Sequence, residues 1–304
     1  MAYAKLSGAL LVQKGAPVAE TVSVPQVTPA PTPATREGDG LLARHLKSLK
    51  LPTFLSQYQR LAQQYSTEGL DPSGYLLRLA EAELIERERQ LIDRRIRQAR
   101  FPAAKSLDSF DFTAVPSLDK RLILELARCE YIARQENVIA IGELGIGKTH
   151  LAIGLGMAAC QKGLSVGFTT AVSLIRELLE ARDEQRLLRL QRRLTGYKLL
   201  IIDELAYVPL STAGAELLFD VVSQRYERGS TIITSNLPFD EWYEVFGSRQ
   251  LASAVLDRLT HHGHILEMQG ESYRLRHSKR PPLQPRQGNG AGRGKRIEPG
   301  LGDG

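Results

Sequence analysis

One short segment of the sequence combines glycines, a lysine and a threonine in a spacing that suits phosphate binding. Residues 142–149 read Gly-Glu-Leu-Gly-Ile-Gly-Lys-Thr and match the pattern G-x-x-x-x-G-K-S/T. Gly142, Gly145 and Gly147 let the backbone curl so that its N–H groups converge on a β-phosphate. Lys148 is expected to reach the β- and γ-phosphate oxygens, and the Thr149 hydroxyl is expected to bind Mg²⁺. Taken alone, the pattern is also compatible with a glycine-rich structural turn.

Two carboxylates follow an apolar run further along the chain. Residues 199–202 are Leu-Leu-Ile-Ile, which is typical of a buried strand, and Asp203 and Glu204 end this run. We expect Asp203 to hold Mg²⁺, largely through water, and Glu204 to orient or deprotonate an attacking water. A strand that ends in a polar turn by chance is the alternative. The two motifs in this order favour a site that hydrolyses a nucleotide over one that only holds it.

Three further polar residues are candidates for the same site. Asn236 ends the next strand-like run, where an amide can hydrogen-bond the γ-phosphate or the attacking water; its alternative is an ordinary turn residue. Arg258 lies on a predicted helix and Arg274 near the end of the predicted sheet. An arginine delivered to the γ-phosphate of a neighbouring subunit would stabilise charge in the transition state. The alternative for each arginine is an intramolecular salt bridge.

The motifs lie within a regular alternation of strands and helices. Five short apolar runs predict strands, and three longer spans between the first four predict helices. The strands are Val138–Ile141, Val166–Thr170, Leu199–Asp203, Thr231–Ser235 and His264–Met268, and the helices are Lys148–Lys162, Ser173–Leu194 and Ala213–Arg228. This alternation predicts an α/β fold, a P-loop nucleotide-binding core with a five-stranded parallel sheet.

Composition divides the rest of the chain. Residues 1–40 contain a stretch rich in Pro, Ala, Thr and Val, which predicts a disordered lead. Residues 41–100 have helical periodicity, with a second helix opening at Pro52, and predict a small all-α domain. Residues 101–276 form the predicted nucleotide-binding domain. Residues 277–304 predict a basic, disordered tail.

The overall composition narrows the class of protein. The chain has 304 residues, a formal net charge of +6 and only two cysteines. The cysteine count excludes a disulfide framework and a cysteine-rich metal cluster, and we expect Cys129 and Cys160 to act as small apolar residues. No apolar run is long enough to span a bilayer, so we expect a cytoplasmic protein that is not bound to a membrane. The basic balance makes a polyanion partner plausible.

An arginine-rich span is the predicted DNA contact. Arg182, Arg186, Arg189 and Arg193 follow the spacing i, i+4, i+7, i+11, which would place them on one stripe of a continuous helix. Such a stripe could bind DNA phosphates without reading sequence. A solvated outer face is the alternative, and the tail and the arginine-rich end of the helical domain are competing contacts. Because no aromatic residues interleave with these charges, duplex DNA with weak sequence preference is the favoured ligand.

Three histidines near the end of the predicted core are not expected to form a metal site. His261, His262 and His264 have no spaced carboxylate or cysteine partner in the sequence. We therefore interpret them as loop histidines.

Taken together, the motifs resemble those of IstB-type transposition helper ATPases of the AAA+ class, which are related to DnaC-type helicase loaders. The resemblance rests on the run from Gly145 to Ala152, on Ile-Ile-Asp-Glu-Leu, Thr-Ser-Asn-Leu-Pro, Leu-Asp-Arg-Leu and Glu-Ser-Tyr-Arg, and on Leu-Lys-Leu-Pro and Ala-Arg-Phe-Pro upstream. It covers roughly residues 41–276. The matched loop includes His150 and also Ile146, where the family usually has a small or hydroxylated residue. We expect the Ile146 side chain to point away from the phosphates.

This resemblance implies an AAA+ core that binds ATP and Mg²⁺ between subunits and assembles into an oligomer on DNA. It implies that Asn236 is the sensor-1 residue, Arg258 the arginine finger and Arg274 a sensor-2-like residue. The leading functional hypothesis is an ATP-dependent helper that regulates a transposase. The alternatives are a loader for a replicative helicase and a DNA-binding scaffold that does not hydrolyse ATP. Glu204 argues against the scaffold, because a protein that only binds nucleotide has no need of a carboxylate that activates water.

Overall fold

The computed structural model describes residues 33–68, 71–205, 209–270 and 272–276 of the chain. The helices are α1 (Pro33–Ser48), α2 (Pro52–Glu68), α3 (Pro72–Ala99), α4 (Lys120–Leu126), α5 (Glu130–Ala133), α6 (Lys148–Gln161), α7 (Ala171–Asp183), α8 (Leu187–Thr195), α9 (Thr212–Arg225), α10 (Trp242–Phe246), α11 (Arg249–Thr260) and α12 (Tyr273–Arg276). The strands are β1 (Asn137–Gly142), β2 (Val166–Thr170), β3 (Leu199–Leu205), β4 (Ser230–Ser235) and β5 (Gly263–Met268). The chain divides into two compact units between Glu83 and Leu84, within α3.

The first unit consists of helices that each begin at a proline. A proline suits the first helical position because its missing N–H would have no helical partner there. Glu83 is only 3% exposed and accepts a hydrogen bond of 2.9 Å from the backbone N–H of Thr53, which satisfies a free donor at the start of α2. The helix predicted to open at Pro52 is confirmed.

Two of the predicted domain boundaries differ from the structure. Because α1 begins at Pro33, residues 33–40 are helical, whereas the sequence predicted a disordered lead to residue 40. The proline content that suggested disorder includes Pro33 itself, which is well suited to start a helix. Residues 1–32 and the predicted tail lie outside the described residues. The predicted helical domain over 41–100 ends with α3, but the two compact units part within that helix.

The second unit is built on the predicted parallel sheet. Its five strands are all parallel and lie in the order β2-β3-β4-β1-β5. All five predicted strands are confirmed to within two residues at each end. Since β1, β3 and β4 are neighbours, the residues that follow them meet at the same edge of the sheet.

Helices cover both faces of this sheet, and the strand residues alternate between two hydrophobic cores. Val138 and Ala140 pack with α6, whereas Ile139 packs with α7, α9 and α11. Burial on both faces explains why β1 and β3 read as continuous apolar runs. Cys129 and Cys160 are buried and unpaired, as expected of small apolar residues. None of the helices in the described ranges has the length and apolar character needed to cross a membrane.

The prediction of one continuous helix from Ser173 to Leu194 is wrong, because this span forms two helices, α7 and α8. The chain leaves α7 at Asp183 and begins α8 at Leu187, with Gln185 in the left-handed region (φ 55°). A continuous helix would carry the buried face of α7, which ends at Ala181, on to Leu188 and Arg189. The leucines that are buried are instead Leu190 and Leu194. The break therefore shifts the phase so that these leucines reach the core.

Candidate nucleotide-binding site

The loop between β1 and α6 has the backbone conformation that the glycine spacing predicts. Gly145 and Gly147 have φ angles of 83° and 109°, which side-chain-bearing residues rarely adopt. A Cβ on Gly147 would lie 3.0 Å from the Phe110 ring. Ile146 is 2% exposed and belongs to the hydrophobic core that includes α6, and the residue also lines the nucleotide cavity. Because glycines occupy three positions of the loop, few side chains separate its backbone from a ligand.

Lys148 is held inside this loop. Its Nζ donates to the carbonyl oxygens of Gly142 (2.6 Å) and Glu143 (2.7 Å), and no carboxylate in the described residues accepts a hydrogen bond from it. Burial lowers the pKa of Lys148, and the nearby Asp203 opposes that shift. A buried ammonium that has only carbonyl partners fits a polyphosphate, whose charge would replace them.

A cluster of oxygen atoms lies beside the lysine. The Thr149 Oγ1 donates to Asp203 Oδ1 at 2.9 Å, and the Thr234 Oγ1 donates to the same oxygen at 2.6 Å. Asp203 is 3% exposed. Carboxylate and hydroxyl oxygens are the ligands that Mg²⁺ prefers, so these residues fit the predicted metal role. The sequence analysis missed Thr234, which lies two residues before Asn236 on β4.

Glu204 lies at a bulge near the end of β3. It has a φ of 56°, and the register between β3 and β4 shifts between Ile202 and Leu205. Its N–H donates to Thr234 Oγ1 at 2.9 Å, which fixes the irregular backbone. Because of this bulge, Glu204 is exposed and lines the same cavity as Lys148.

The structure brings two of the three remaining candidates to the cavity. Asn236 directly follows β4 and lines it, and so does Arg274 on α12. The N–H of Tyr273 donates to the Gly145 carbonyl at 3.1 Å, which ties the Arg274 segment to the phosphate loop. Arg258 does not line the cavity. Its guanidinium lies 4.5 Å from the centre of the Phe219 ring, and it forms no ion pair with a described residue.

A short aromatic and polar segment completes the cavity. Phe110 and Ser109 line it together with His150. The Nε2 atom of His150 lies 2.9 Å from the Ser106 carbonyl oxygen and 3.2 Å from the Ser109 Oγ, so the ring holds this turn against α6. His150 belongs to the motif seen in the sequence, whereas Phe110 could not be predicted, because a phenylalanine in an irregular segment belongs to no motif.

The predicted arginine stripe is interrupted between α7 and α8, but three of its four members, Arg186, Arg189 and Arg193, line one pocket. Arg182 lies on α7, whereas Arg189 and Arg193 lie on α8 and Arg186 precedes it. Three of the four arginines are paired with carboxylates: Arg182 with Asp183, Arg186 with Glu184, and Arg193 with Glu177. Of these four arginines, only Arg189 makes no ion pair with a described residue, and it is exposed. The break at Gln185 removes the continuous helix on which the stripe depended.

The histidines differ from expectation in two respects, since one of them lies on a strand and all three have a carboxylate nearby. His264 lies on β5 and pairs with Glu136 at 3.0 Å. His261 and His262 follow α11, and Glu227 supplies a carboxylate whose ligand atom lies within 4.8 Å of theirs. The sequence separation hid this partner. The side chains of Glu227, His261 and His262 are all exposed, and such groups are common without a metal ion.

The chain is similar to known proteins over most of its length. It is 42% identical over 231 residues to an ATP-binding protein of insertion sequence IS5376 from Geobacillus stearothermophilus, covering 76% of this chain and 92% of that protein. It is 39% identical over 235 residues to an ATP-binding protein of insertion sequence IS21 from Pseudomonas aeruginosa, covering 77% and 89%. Among solved structures, it is similar to the DnaC helicase loader, with a TM-score of 0.44 and 21% identity over 58% of this chain and 99% of that one.

A family model covers the same region of the chain. The model, described as IstB-like ATP binding protein, matches residues 44–281. This match confirms the resemblance inferred from the motifs, and the five-stranded parallel sheet with its phosphate loop confirms the predicted α/β P-loop fold class. The chain belongs to the family of IstB-like ATP binding proteins.

Proposed function

We propose that this protein is an ATP-dependent, DNA-binding transposition helper. It assembles on DNA as an oligomer, hydrolyses ATP to ADP and phosphate, and regulates a partner transposase. The observation that carries the hydrolytic part is the Asp203–Glu204 pair, held beside the phosphate loop by Thr234. The partner is suggested by relatives that are named for insertion sequences. Such a protein would act in the cytoplasm, where DNA and ATP are both present.

The loop and its lysine would bind the triphosphate. The backbone N–H groups of residues 145–149 and the start of α6 favour an anion. Lys148 would transfer its hydrogen bonds from the two loop carbonyls to the β- and γ-phosphate oxygens. Thr149 and Asp203 would hold Mg²⁺, which supplies charge neutralisation between the β- and γ-phosphates when bound.

Glu204 would act on the attacking water. Its carboxylate leaves the sheet edge in the direction of the cavity, and a buried hydroxyl fixes its backbone. A carboxylate beside a bound water can accept its proton or orient it. Asn236, from the neighbouring strand, would hydrogen-bond the same water or the γ-phosphate.

Arg258 supports a site shared between subunits. Within one chain it lies outside the cavity, has no carboxylate partner among the described residues, and is held over an aromatic ring. We infer that it reaches the γ-phosphate of a neighbouring subunit and makes hydrolysis depend on assembly. Arg274, in contrast, lines the cavity of its own chain and would bind the phosphates in cis.

Substitution of Glu204 tests the proposal. We expect Glu204→Gln to keep ATP binding and to lower the steady-state hydrolysis rate by at least about a hundredfold. Hydrolysis is measured by phosphate release with DNA present, and binding by a fluorescent ATP analogue. Glu125→Gln, an exposed carboxylate on α4, is the matched control and should retain wild-type turnover.

A Glu204→Gln variant with wild-type turnover would refute the assignment. The partner is tested separately, by transposition in cells that carry the transposase of the same element. The proposal predicts that transposition falls with Glu204→Gln but not with Glu125→Gln.

A further inference from the structure

A cleft beside β2 concentrates positive charge. Its volume is about 830 Å³, and its charged lining consists of six arginines and one glutamate: Arg94, Arg95, Arg97, Arg100, Arg192, Arg193 and Glu177. None of these residues lines the nucleotide cavity. The cleft is therefore a second site, separate from the ATP-binding residues.

Four of the six arginines have no partner within the described ranges. Arg95 donates through Nε to the Gly163 carbonyl at 3.1 Å, and Arg193 pairs with Glu177 at 2.6 Å. The other four are exposed and make no ion pair or side-chain hydrogen bond with a described residue: Arg94, Arg97, Arg100 and Arg192. Like charges gathered in one cleft repel each other, and an anionic ligand that bridges them removes this repulsion.

The uncharged walls of the cleft also suit phosphate. β2 is an edge strand, so its outer side has backbone groups that pair with no other strand of the sheet. Ser165, Thr169 and Ser173 line the cleft beside it. Hydroxyls and backbone N–H groups are common donors to phosphate oxygens in protein–DNA contacts.

The backbone at Arg100 adds an independent observation. Arg100 directly follows α3 and has a φ of 59°, the left-handed conformation in which helices commonly end on glycine. An arginine is strained in this conformation, whereas a glycine would not be. The side chain that is held in this conformation lines the cleft.

We propose that this arginine cleft binds the sugar–phosphate backbone of duplex DNA. The inference rests on the proposed function in one respect, namely that DNA is a ligand of this protein. It assigns the principal phosphate contacts to the cleft, whereas the arginines around the α7–α8 break are mostly neutralised by adjacent carboxylates. Binding through phosphates is independent of sequence and weakens steeply with salt.

A charge-matched pair of variants tests the cleft. The cleft variant replaces Arg94, Arg97, Arg100 and Arg192 with alanine, and the control variant replaces four exposed arginines elsewhere, namely Arg121, Arg128, Arg134 and Arg228. Affinity for a fluorescent 30-base-pair duplex is measured by anisotropy with a non-hydrolysable ATP analogue over a range of NaCl concentrations. Binding of a fluorescent ATP analogue and the thermal midpoint are measured without DNA in parallel, and they confirm that each variant is folded.

We expect the cleft variant to bind DNA at least about tenfold more weakly than the control. Its slope of log affinity against log salt should be smaller by about 0.9 for each phosphate that the variant no longer neutralises. Arg100→Gly alone should weaken DNA binding while leaving the thermal midpoint unchanged or higher, because glycine relieves the left-handed strain. If the loss of positive charge acted only through the net charge of the protein, the two quadruple variants would lose the same amount of DNA affinity.

Equal DNA affinity of the two quadruple variants would overturn the cleft assignment and leave the proposed function intact. A wild-type protein that binds no duplex under these conditions would overturn the DNA-binding part of the proposed function and the cleft with it. If polyglutamate bound the wild type as tightly as DNA, and the cleft variant failed to bind it, the cleft would be a site for an acidic protein segment and the proposal would be wrong.

Discussion

We predict that Thr234→Val slows ATP hydrolysis about a hundredfold, because one hydroxyl holds both acidic residues of the site. The Thr234 Oγ1 donates to Asp203 Oδ1 at 2.6 Å and accepts from the Glu204 N–H at 2.9 Å. Thr234 is 1% exposed, so water cannot readily replace the hydroxyl. Valine has nearly the same shape but neither donates nor accepts, and it therefore removes both bonds at once.

The geometry sets the expected size of the effect. A hydrogen bond to a charged group contributes about 1.5–3 kcal/mol, and a buried unpaired N–H costs about 1–3 kcal/mol. Because the two bonds share one atom and are not additive, we expect the free energy of unfolding to fall by about 3 kcal/mol. Release of the Glu204 backbone by about 1 Å would cost on the order of a hundredfold in rate. The phosphate loop is untouched, so ATP affinity should change little.

Three measurements separate these effects. Single-turnover hydrolysis at saturating ATP reports the chemical step, a fluorescent ATP analogue reports affinity, and urea denaturation without nucleotide reports stability. Thr234→Ser keeps the hydroxyl and is the matched control, with hydrolysis close to wild type. The reasoning is refuted if Thr234→Val binds ATP and hydrolyses it as fast as Thr234→Ser.

Three further predictions concern other parts of the molecule. Lys148→Ala and Arg258→Ala should each abolish hydrolysis in a phosphate-release assay. An equimolar mixture of the two variants should recover about a quarter of the wild-type rate, because one in four subunit interfaces then joins an intact lysine to an intact arginine. An inactive mixture would contradict a site shared between subunits. Arg225 is 2% exposed, burial lowers its pKa to about 10, and it donates to the carbonyls of Leu194, Tyr197 and Ser230 and to Thr231 Oγ1. Arg225→Met should therefore lower the urea unfolding free energy by about 3–5 kcal/mol, whereas the exposed Arg228→Met should change it by less than about 0.5 kcal/mol. Gln185→Gly should raise the unfolding free energy by about 0.5–1 kcal/mol by relieving the left-handed strain at the α7–α8 break, and Gln185→Ala should give no such gain.

The parts of the site that could be predicted are those in which residues close together in the sequence act together. The phosphate loop needs glycines, a lysine and a threonine within eight positions, so Gly145, Gly147, Lys148 and Thr149 are recognisable without a structure. Thr234 is not, because its two partners lie about thirty residues away and a threonine on a strand is ordinary. The same limit hid Phe110 and the approach of Glu227 to His261.

Periodicity likewise predicted the strands but not the break between α7 and α8. The span of residues 173–194 has no proline or glycine, and its arginine spacing is consistent with one helix. The break follows from the requirement that Leu190 and Leu194 reach a core already shaped by α7 and α9. That requirement exists only once the sheet and its other helices are in place.

The α/β fold class and the core of the nucleotide site were predictable without a structure, because short motifs and alternating apolar runs are local properties of the chain. The folded chain was needed to show which distant residues support that site, that Arg258 lies outside its own cavity, and that the arginine cleft forms between the end of α3 and the edge strand. Each of these is a contact between elements far apart in the chain, and such contacts depend on how the hydrophobic faces of the helices and strands pack together.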